Sequence, residues 1–351
     1  MKKKFEFFSN PFEVYKETNL YGHLSNDIKF YHLNQKIPHK KTPNLFAVEK
    51  ASVLGNSNII VNKNSHAVFD SFVFSRVDNK IFGIDNKFES HENSPYIFFH
   101  YDKIKEFDEG IFLGGSWNIG HWLFNHLTKL IFFPENIMQK VPLLISDVGV
   151  KEHFLEFLNL FRIKKKNIIF LKKNTLYKFN KVYHPTMPWH VDLSGNMVIT
   201  PYAIDFLRKK TVKTAKNIDK KIYIPRGNAK WRKVLNEKEL INLLLKYNFK
   251  IIYPEHLSLN EQIKIGSETK WLITPFGASV NFFIFMPPGS SLLQLSSLDR
   301  KCMNQTKIFC KFSGINCFET KELPQNKFLE LDDDVKINLK ELEKFLKTLD
   351  F

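Results

Sequence analysis

Lys221-Ile222-Tyr223-Ile224, Lys250-Ile251-Ile252-Tyr253, Trp271-Leu272-Ile273-Thr274 and Ser291-Leu292-Leu293-Gln294-Leu295 are short apolar runs set apart by segments of helical length. Between the first two, Asn236-Glu237-Lys238-Glu239 places an acid three residues after a polar cap, which predicts a capping box opening a helix with Leu240, Leu244 and Tyr247 on one face. Ser258-Leu259-Asn260-Glu261 repeats that spacing and predicts a helix running to about Glu268. A short apolar helix is expected over 279–286, ending at Pro287-Pro288-Gly289. Apolar strands alternating with helices predict a doubly wound parallel sheet.

The same rhythm continues upstream. Ile111-Phe112-Leu113, Pro142-Leu143-Leu144-Ile145 and Ile168-Ile169-Phe170-Leu171 read as strands, with helices expected near 119–132 and 151–161. Residues 1 to about 100 alternate short β-like runs with Asn, Ser, Pro and Asp, as in Ser57-Asn58-Ile59-Ile60-Val61 and 67–74, and predict a strand-rich N-terminal segment. The stretch 184–201 is rich in Pro and Gly without a periodic pattern, and a helix is expected after it near 202–216. At 351 residues the chain exceeds the size at which a single core usually stops growing, so two α/β domains are expected, 1–195 and 196–351, with a cleft between them.

Composition narrows the classes. No stretch reaches the roughly 20 apolar residues needed to cross a bilayer, and Met1-Lys2-Lys3-Lys4-Phe5-Glu6 is too charged for a signal peptide, so the chain is expected in the cytoplasm. Cys302, Cys310 and Cys317 show no CxxC or zinc spacing and read as reduced thiols. A net charge of +16 suits an anionic partner, although the lysines are scattered and a cluster such as Arg162-Ile163-Lys164-Lys165-Lys166 reads as a solvated loop. No GxxxxGKS, GxSxG or HExxH pattern occurs.

In open parallel sheets, ligands sit beyond the carboxyl ends of the strands. The residues expected on that rim are Arg226 with Gly227, Glu255 with His256, and Phe276-Gly277-Ala278-Ser279. Arg226, Lys230 and Arg232 bring cations suited to a diphosphate. Gly277 permits close backbone approach, and Ser279 is placed to cap the following helix. In Asn118-Ile119-Gly120-His121-Trp122-Leu123-Phe124-Asn125-His126, His121 has the chemistry of a general base, while capping or packing is the plain alternative. His121 and His126 are poorly spaced for a shared metal. Asp332-Asp333-Asp334 contains an Asp-x-Asp pattern but precedes the last helix, expected over 337–348, where acids favour the positive helix end.

Taken in order, these pieces resemble glycosyltransferase family 61. Asn118-Ile119-Gly120-His121-Trp122-Leu123 is similar to its N-x-x-H-W-L element; Ile222 to Arg226, Arg232 and Asn236-Glu237 are similar to its strand-Arg, Arg and Asn-Glu series. Pro254-Glu255, Glu261-Gln262, Gly277-Ala278 with Asn281, and Pro288-Gly289 complete the set. The resemblance implies a GT-B architecture of two Rossmann-like domains and an inverting glycosyltransferase, with a nucleotide-sugar donor, UDP-linked by preference, and no obligatory metal or other cofactor. It places Arg226, Arg232, Glu237, Gly277, Ala278 and Asn281 on the donor side and His121 on the other domain; beside these, Lys230, Glu255, Gln262 and Ser279 are expected on the donor side and Asn118, Trp122 and Asn125 on the acceptor side. It implies a role in bacterial surface or capsule polysaccharide synthesis, with a glycan or lipid-linked glycan as acceptor; the basic surface itself suggests contact with anionic membrane, and no nucleic-acid partner is expected. Asn125, Phe276 and Gln294 stand where the family often has an acid, a His and a Glu. Two other readings remain: a non-catalytic basic module for nucleic acid or anionic glycan, permitted by segments such as Lys178-Phe179-Asn180-Lys181, and a metal-dependent GT-A enzyme using the Asp332 cluster.

Overall fold

A computed structural model describes residues 2–6, 31–32, 45–61, 63, 76–77, 80–81, 88–89, 96–147, 149–185, 189–191, 197–199, 201–227, 232–295, 301–320 and 334–349. It is a mixed α/β chain forming two compact units, Met1–Ala203 and Ile204–Phe351.

The main sheet of the first unit has six strands: β1 (Leu45–Leu54), β2 (Ile60–Val61), β3 (Lys103–Phe112), β4 (Leu143–Ser146), β5 (Ile168–Leu171) and β6 (Thr175–Pro185), in the order β5-β4-β3-β6-β1-β2. β5, β4, β3 and β6 run parallel, while β1 pairs antiparallel with both β6 and β2. β4, Leu-Leu-Ile-Ser, is buried along its whole length, as a parallel strand covered on both faces should be. Val48, Ala51, Val53, Phe112, Leu144, Tyr177, Phe179 and Val182 share one core. Of the N-terminal strands expected from sequence, Ile60–Val61 is present, whereas 67–74 lies outside the described residues.

Two elements of this unit differ from the sequence reading. The helix expected over 119–132 is a single α-turn, Ile119–His121, then a π segment, Trp122–His126, then a 3-10 segment, Leu127–Phe132. Its inner face carries Asn125, His126 and Lys129, all buried, and these side chains need polar partners that an even apolar stripe does not supply. The described residues of the 184–201 stretch lie in strands and at a helix start, not in a connection without regular structure. His184 and Pro185 complete β6, and Trp189–Val191 pairs antiparallel with Met197–Ile199. The helix Pro201–Thr211 follows and contains the boundary between the units.

The second unit holds a five-stranded sheet: β7 (Lys220–Tyr223), β8 (Lys250–Ile251), β9 (Thr269–Pro275), β10 (Ser291–Leu295) and β11 (Asn316–Glu319). Its order is β8-β7-β9-β10-β11 with every pair parallel, so counting from β7 the strands run 2-1-3-4-5. This is a Rossmann-like, doubly wound topology in which chain direction across the sheet reverses between the first and third strands. β11 was not evident from sequence because Asn316-Cys317-Phe318-Glu319 is a half-exposed edge strand.

The connecting helices are Glu237–Lys246, Leu259–Ser267 and Lys301–Ser313, with Leu339–Lys347 closing the unit. Ser258 forms the expected capping box with Glu261. Asn236 makes no side-chain cap; its amide donates to Ile337 O (2.9 Å) and its Oδ1 accepts from Ile337 N (2.9 Å). That two-pronged link, with the parallel bridge Val234–Val335, fastens the C-terminal segment onto the unit, and Leu342 and Leu346 enter the core beside Leu240 and Leu244. Asp334 accepts from Lys233 N (2.8 Å) and so belongs to this seam rather than to the last helix, which Asn338 caps; Asp332 and Asp333 lie outside the described residues.

Candidate functional site

In the second unit the reversal point between β7 and β9 is where a doubly wound sheet opens a crevice for ligands. Arg226 leaves the end of β7 and Phe276-Gly277 leaves the end of β9. The two meet: Arg226 Nη1 donates to Phe276 O at 3.3 Å. Gly277 has φ +150° and ψ −156°, a region essentially closed to side-chain-bearing residues. A Cβ on Gly277 would stand 1.8 Å from Arg226 Nη1, so the missing side chain is what lets the guanidinium lie against the turn.

Glu237 sets the start of this arrangement. Its Oε1 accepts from Tyr223 OH (2.9 Å) and from Arg226 N (3.3 Å), holding the strand end from which Arg226 departs. Burial, with Glu237 beside it, pushes the Tyr223 hydroxyl well above its ordinary range, so it stays a donor. Arg232, at φ +58°, carries its guanidinium 5.0 Å above the Phe276 ring, a cation–π contact on the same turn. Two guanidinium groups and one glycine turn therefore share the end of one sheet. Lys230 lies outside the described residues.

The remaining donor-side candidates hold the rim rather than project from it. Ser279 does not cap: its hydroxyl is hydrogen-bonded to Thr274 Oγ1 at 2.6 Å, while the residue at the cap position of the 3-10 segment Ala278–Phe285 is Gly277. Thr274 also donates toward Ile224 O (2.9 Å), sewing the ends of the first and third strands together beneath the turn. Asn281 donates to Ala278 O (3.0 Å), and Ala278 itself is exposed. Gln262 spends its amide on Pro254 O (3.0 Å) and Leu257 O (3.1 Å), which fixes the short turn carrying exposed Glu255. Gln294, at the end of β10, is buried, and its Oε1 has no hydrogen-bond partner among the described residues.

One rim residue was missed. Tyr253, just past β8, is 37% exposed, lies in ring contact with His256 (5.8 Å), and its Cε1 would be 3.9 Å from a Cβ on Gly227. It was hidden in the apolar run Lys250-Ile251-Ile252-Tyr253, whose strand ends at Ile251, so the signal available from sequence was an aromatic residue closing a strand run.

In the first unit the polar residues gather where β3 ends. Asn58 brackets Gly115, donating to its O (2.9 Å) and accepting from its N (2.8 Å). His126 Nδ1 (2.7 Å) and Lys129 Nζ (3.0 Å) both donate to Leu113 O. Burial, then Lys129, hold His126 well below its ordinary value, and burial does the same for His184, so both stay neutral beside the buried ammonium. This clamp fixes the Gly114-Gly115 loop that leads into Asn118, whose side chain accepts from Gly120 N (2.8 Å). Neither Lys129 nor His184 was singled out from sequence, since a lone Lys in an apolar stripe reads as a surface residue.

His121 follows that cap. Its Nδ1 donates to Asn125 Oδ1 at 3.0 Å, which leaves Nε2 as the basic nitrogen. Burial lowers its pKa and the Asn125 bond offsets part of the shift, so the ring is neutral and able to take a proton near neutrality. Trp122 is completely buried with its indole N–H on Phe154 O (3.0 Å) and its ring stacked 6.3 Å from His126, which makes it a core residue. Trp117, by contrast, is 57% exposed, with its Cβ packed on Gly149. Among the described residues no group of three or more His, Cys, Asp or Glu is placed to hold a metal ion, and no helix among them is long and apolar enough to cross a membrane.

Against known proteins, the family model described as Glycosyltransferase 61 matches residues 119–293, a span that begins beside His121 and ends on β10. A comparison with curated proteins gives no match.

Proposed function

Because residues 119–293 place the chain in the glycosyltransferase 61 family, we propose that it is an inverting, GT-B-type transferase. It moves a sugar from a nucleotide-sugar donor, UDP-linked by preference, to a glycan or lipid-linked glycan in surface-polysaccharide synthesis. The observation that carries the reading is the Arg226 guanidinium seated on the Gly277 turn at the reversal point of a doubly wound sheet. An acceptor hydroxyl gives its proton to His121 Nε2 and attacks the anomeric carbon from the face opposite the leaving group. As the bond from that carbon to the phosphate oxygen breaks, Arg226 and Arg232 take up the charge developing on the diphosphate. Two fixed guanidinium charges supply the neutralisation that a divalent ion provides in other enzymes, so we propose transfer without an obligatory metal. The net charge of +16 fits polyanionic substrates and contact with an anionic membrane face from the cytoplasmic side.

Tyr253 extends the site toward the base: a half-exposed ring next to Gly227 offers a face on which a nucleobase can stack. Calorimetric titration with inorganic pyrophosphate and with UDP tests both parts. Wild type is expected to bind both, and Tyr253→Ala to lose about tenfold or more in UDP affinity with pyrophosphate unchanged. No pyrophosphate binding by the wild type sinks the phosphate site; equal loss for both probes in Tyr253→Ala sinks the stacking role.

The base assignment has its own signature. With the His121 pKa lowered from 6.5, kcat/KM is expected to fall only as pH drops below that value, because the base must be unprotonated. Asn125→Asp puts a carboxylate on Nδ1, favours the imidazolium and should move the acid limb to higher pH. An acid limb that stays in place in that variant, or survives in His121→Ala, removes His121 as the base.

A further inference from the structure

We infer that Cys310 and Cys317 form a redox-active pair that closes reversibly into a disulfide, a modification site outside the transferase chemistry. Both are reduced thiols; Cys310 is buried near the end of helix Lys301–Ser313, and Cys317 is partly exposed as the second residue of β11. The chain turns back between them at Gly314, φ +67°, and Ile315 N bonds to Cys310 O at 2.9 Å. The turn is held from outside by Gly289 N on Gly314 O (2.7 Å) and Asn316 N on Ser290 O (2.9 Å). Within this frame Cys310 shares a helix face with Lys307 and Cys317 shares a strand face with Glu319, two faces joined by a side-chain bond, so the two thiols lie across from each other. Contact with Cys317, then burial, raises the pKa of Cys310, and the same contact, with Lys307 nearby, favours the thiolate at Cys317. Lys307 bonds to Glu319 Oε1 (2.7 Å), a tie between the same helix and strand.

This division of roles fits a two-step oxidation by a peroxide. The Cys317 thiolate attacks one peroxide oxygen, the O–O bond breaks, and Cys317 becomes a sulfenic acid as hydroxide leaves. The Cys310 sulfur then attacks that sulfur, the S–O bond breaks, and the proton from Cys310 leaves with the oxygen as water. The balance is two thiols and one hydrogen peroxide giving one disulfide and two waters. A dithiol reductant reverses it by exchange.

The position predicts the consequence. Cys317 pairs in register with Leu292, at the amino-terminal side of β10, whereas Arg226 and Gly277 stand beyond the carboxyl ends of their strands. The crosslink therefore locks the far side of the sheet and leaves the transfer site open. It closes a short loop, for which a rise in melting temperature of roughly 5 °C is expected.

The test uses the full chain carrying Cys302→Ser, so that only the two thiols remain. Hydrogen peroxide followed by denaturing, non-reducing mass spectrometry should give a chain lighter by two hydrogens and a crosslinked peptide joining residues 310 and 317, both reversed by dithiothreitol. Turnover should change less than twofold on oxidation. Cys317→Ser should abolish the mass change, and Cys310→Ser should leave a sulfenic acid at Cys317 that dimedone labels. Oxidation of Cys317 to sulfinic acid with Cys310 left as a free thiol, or no change at either sulfur, overturns the proposal.

Discussion

Arg226→Lys is expected to lower kcat by about a hundredfold or more while moving the donor KM far less, the mark of an interaction strongest in the transition state. A guanidinium is planar and donates through a fork, so one nitrogen can stay on Phe276 O, at 3.3 Å, while the fork keeps its plane toward a diphosphate. A lysine ammonium retains the charge but has no plane to fix, and it cannot serve a backbone carbonyl and two phosphate oxygens in that geometry. The substitution keeps the formal charge of the site, so any loss measures geometry rather than net electrostatics. Folding is a separate readout: losing one partly buried side chain-to-carbonyl bond costs about 1 kcal/mol, which a thermal melt resolves and which cannot account for a hundredfold change in turnover. Full turnover in Arg226→Lys would leave the diphosphate reading without its central residue.

How far the sequence could be read depended on the range of the interactions involved. The parallel sheet of the second unit was legible because β10 is buried throughout and β9 everywhere but at Lys270, so both carry apolar runs, Trp271-Leu272-Ile273 and Leu292-Leu293. The capping box at Ser258 and Glu261 was legible because both partners lie within one helical turn. Asn236 carries the same local pattern yet is drawn away by Ile337, 101 residues distant, and no local rule anticipates a partner at that separation. The broken helix over 119–132 has a similar cause: Lys129 and His126 are fixed by one carbonyl, Leu113 O, on the preceding strand's loop.

The site divides along the same line. Arg226, Gly277 and Glu237 could be proposed because residues following strands carry the ligand chemistry of such sheets. Their joint geometry could not, since Glu237 reaches Arg226 through its backbone N and through Tyr223, and Ser279 is turned inward by Thr274. Trp122 stands beside His121 in sequence and is absorbed by the core, while Trp117, which was passed over, is the indole left exposed. A sequence names residues near a reaction; which of two neighbours faces outward is decided by packing.

Gly277→Ala should match the activity loss of Arg226→Ala although it removes no charge and no hydrogen-bonding group. The added methyl would sit 1.8 Å from Arg226 Nη1, far inside contact distance, and the group that gives way is the far end of a flexible side chain. The fold is therefore expected to survive, with a cost of about 1–3 kcal/mol for holding alanine at φ +150°, while the guanidinium is driven off the turn. Because both substitutions then remove the same interaction, their effects on kcat should not multiply: Arg226→Ala/Gly277→Ala is expected to turn over no more slowly than either single variant. Stability should behave differently, since deleting the arginine relieves the collision. The double variant is expected to melt above Gly277→Ala, with only the backbone strain remaining. Multiplicative losses in kcat would mean that the turn and the guanidinium act at separate places, and the shared diphosphate site at the strand reversal would have to be abandoned.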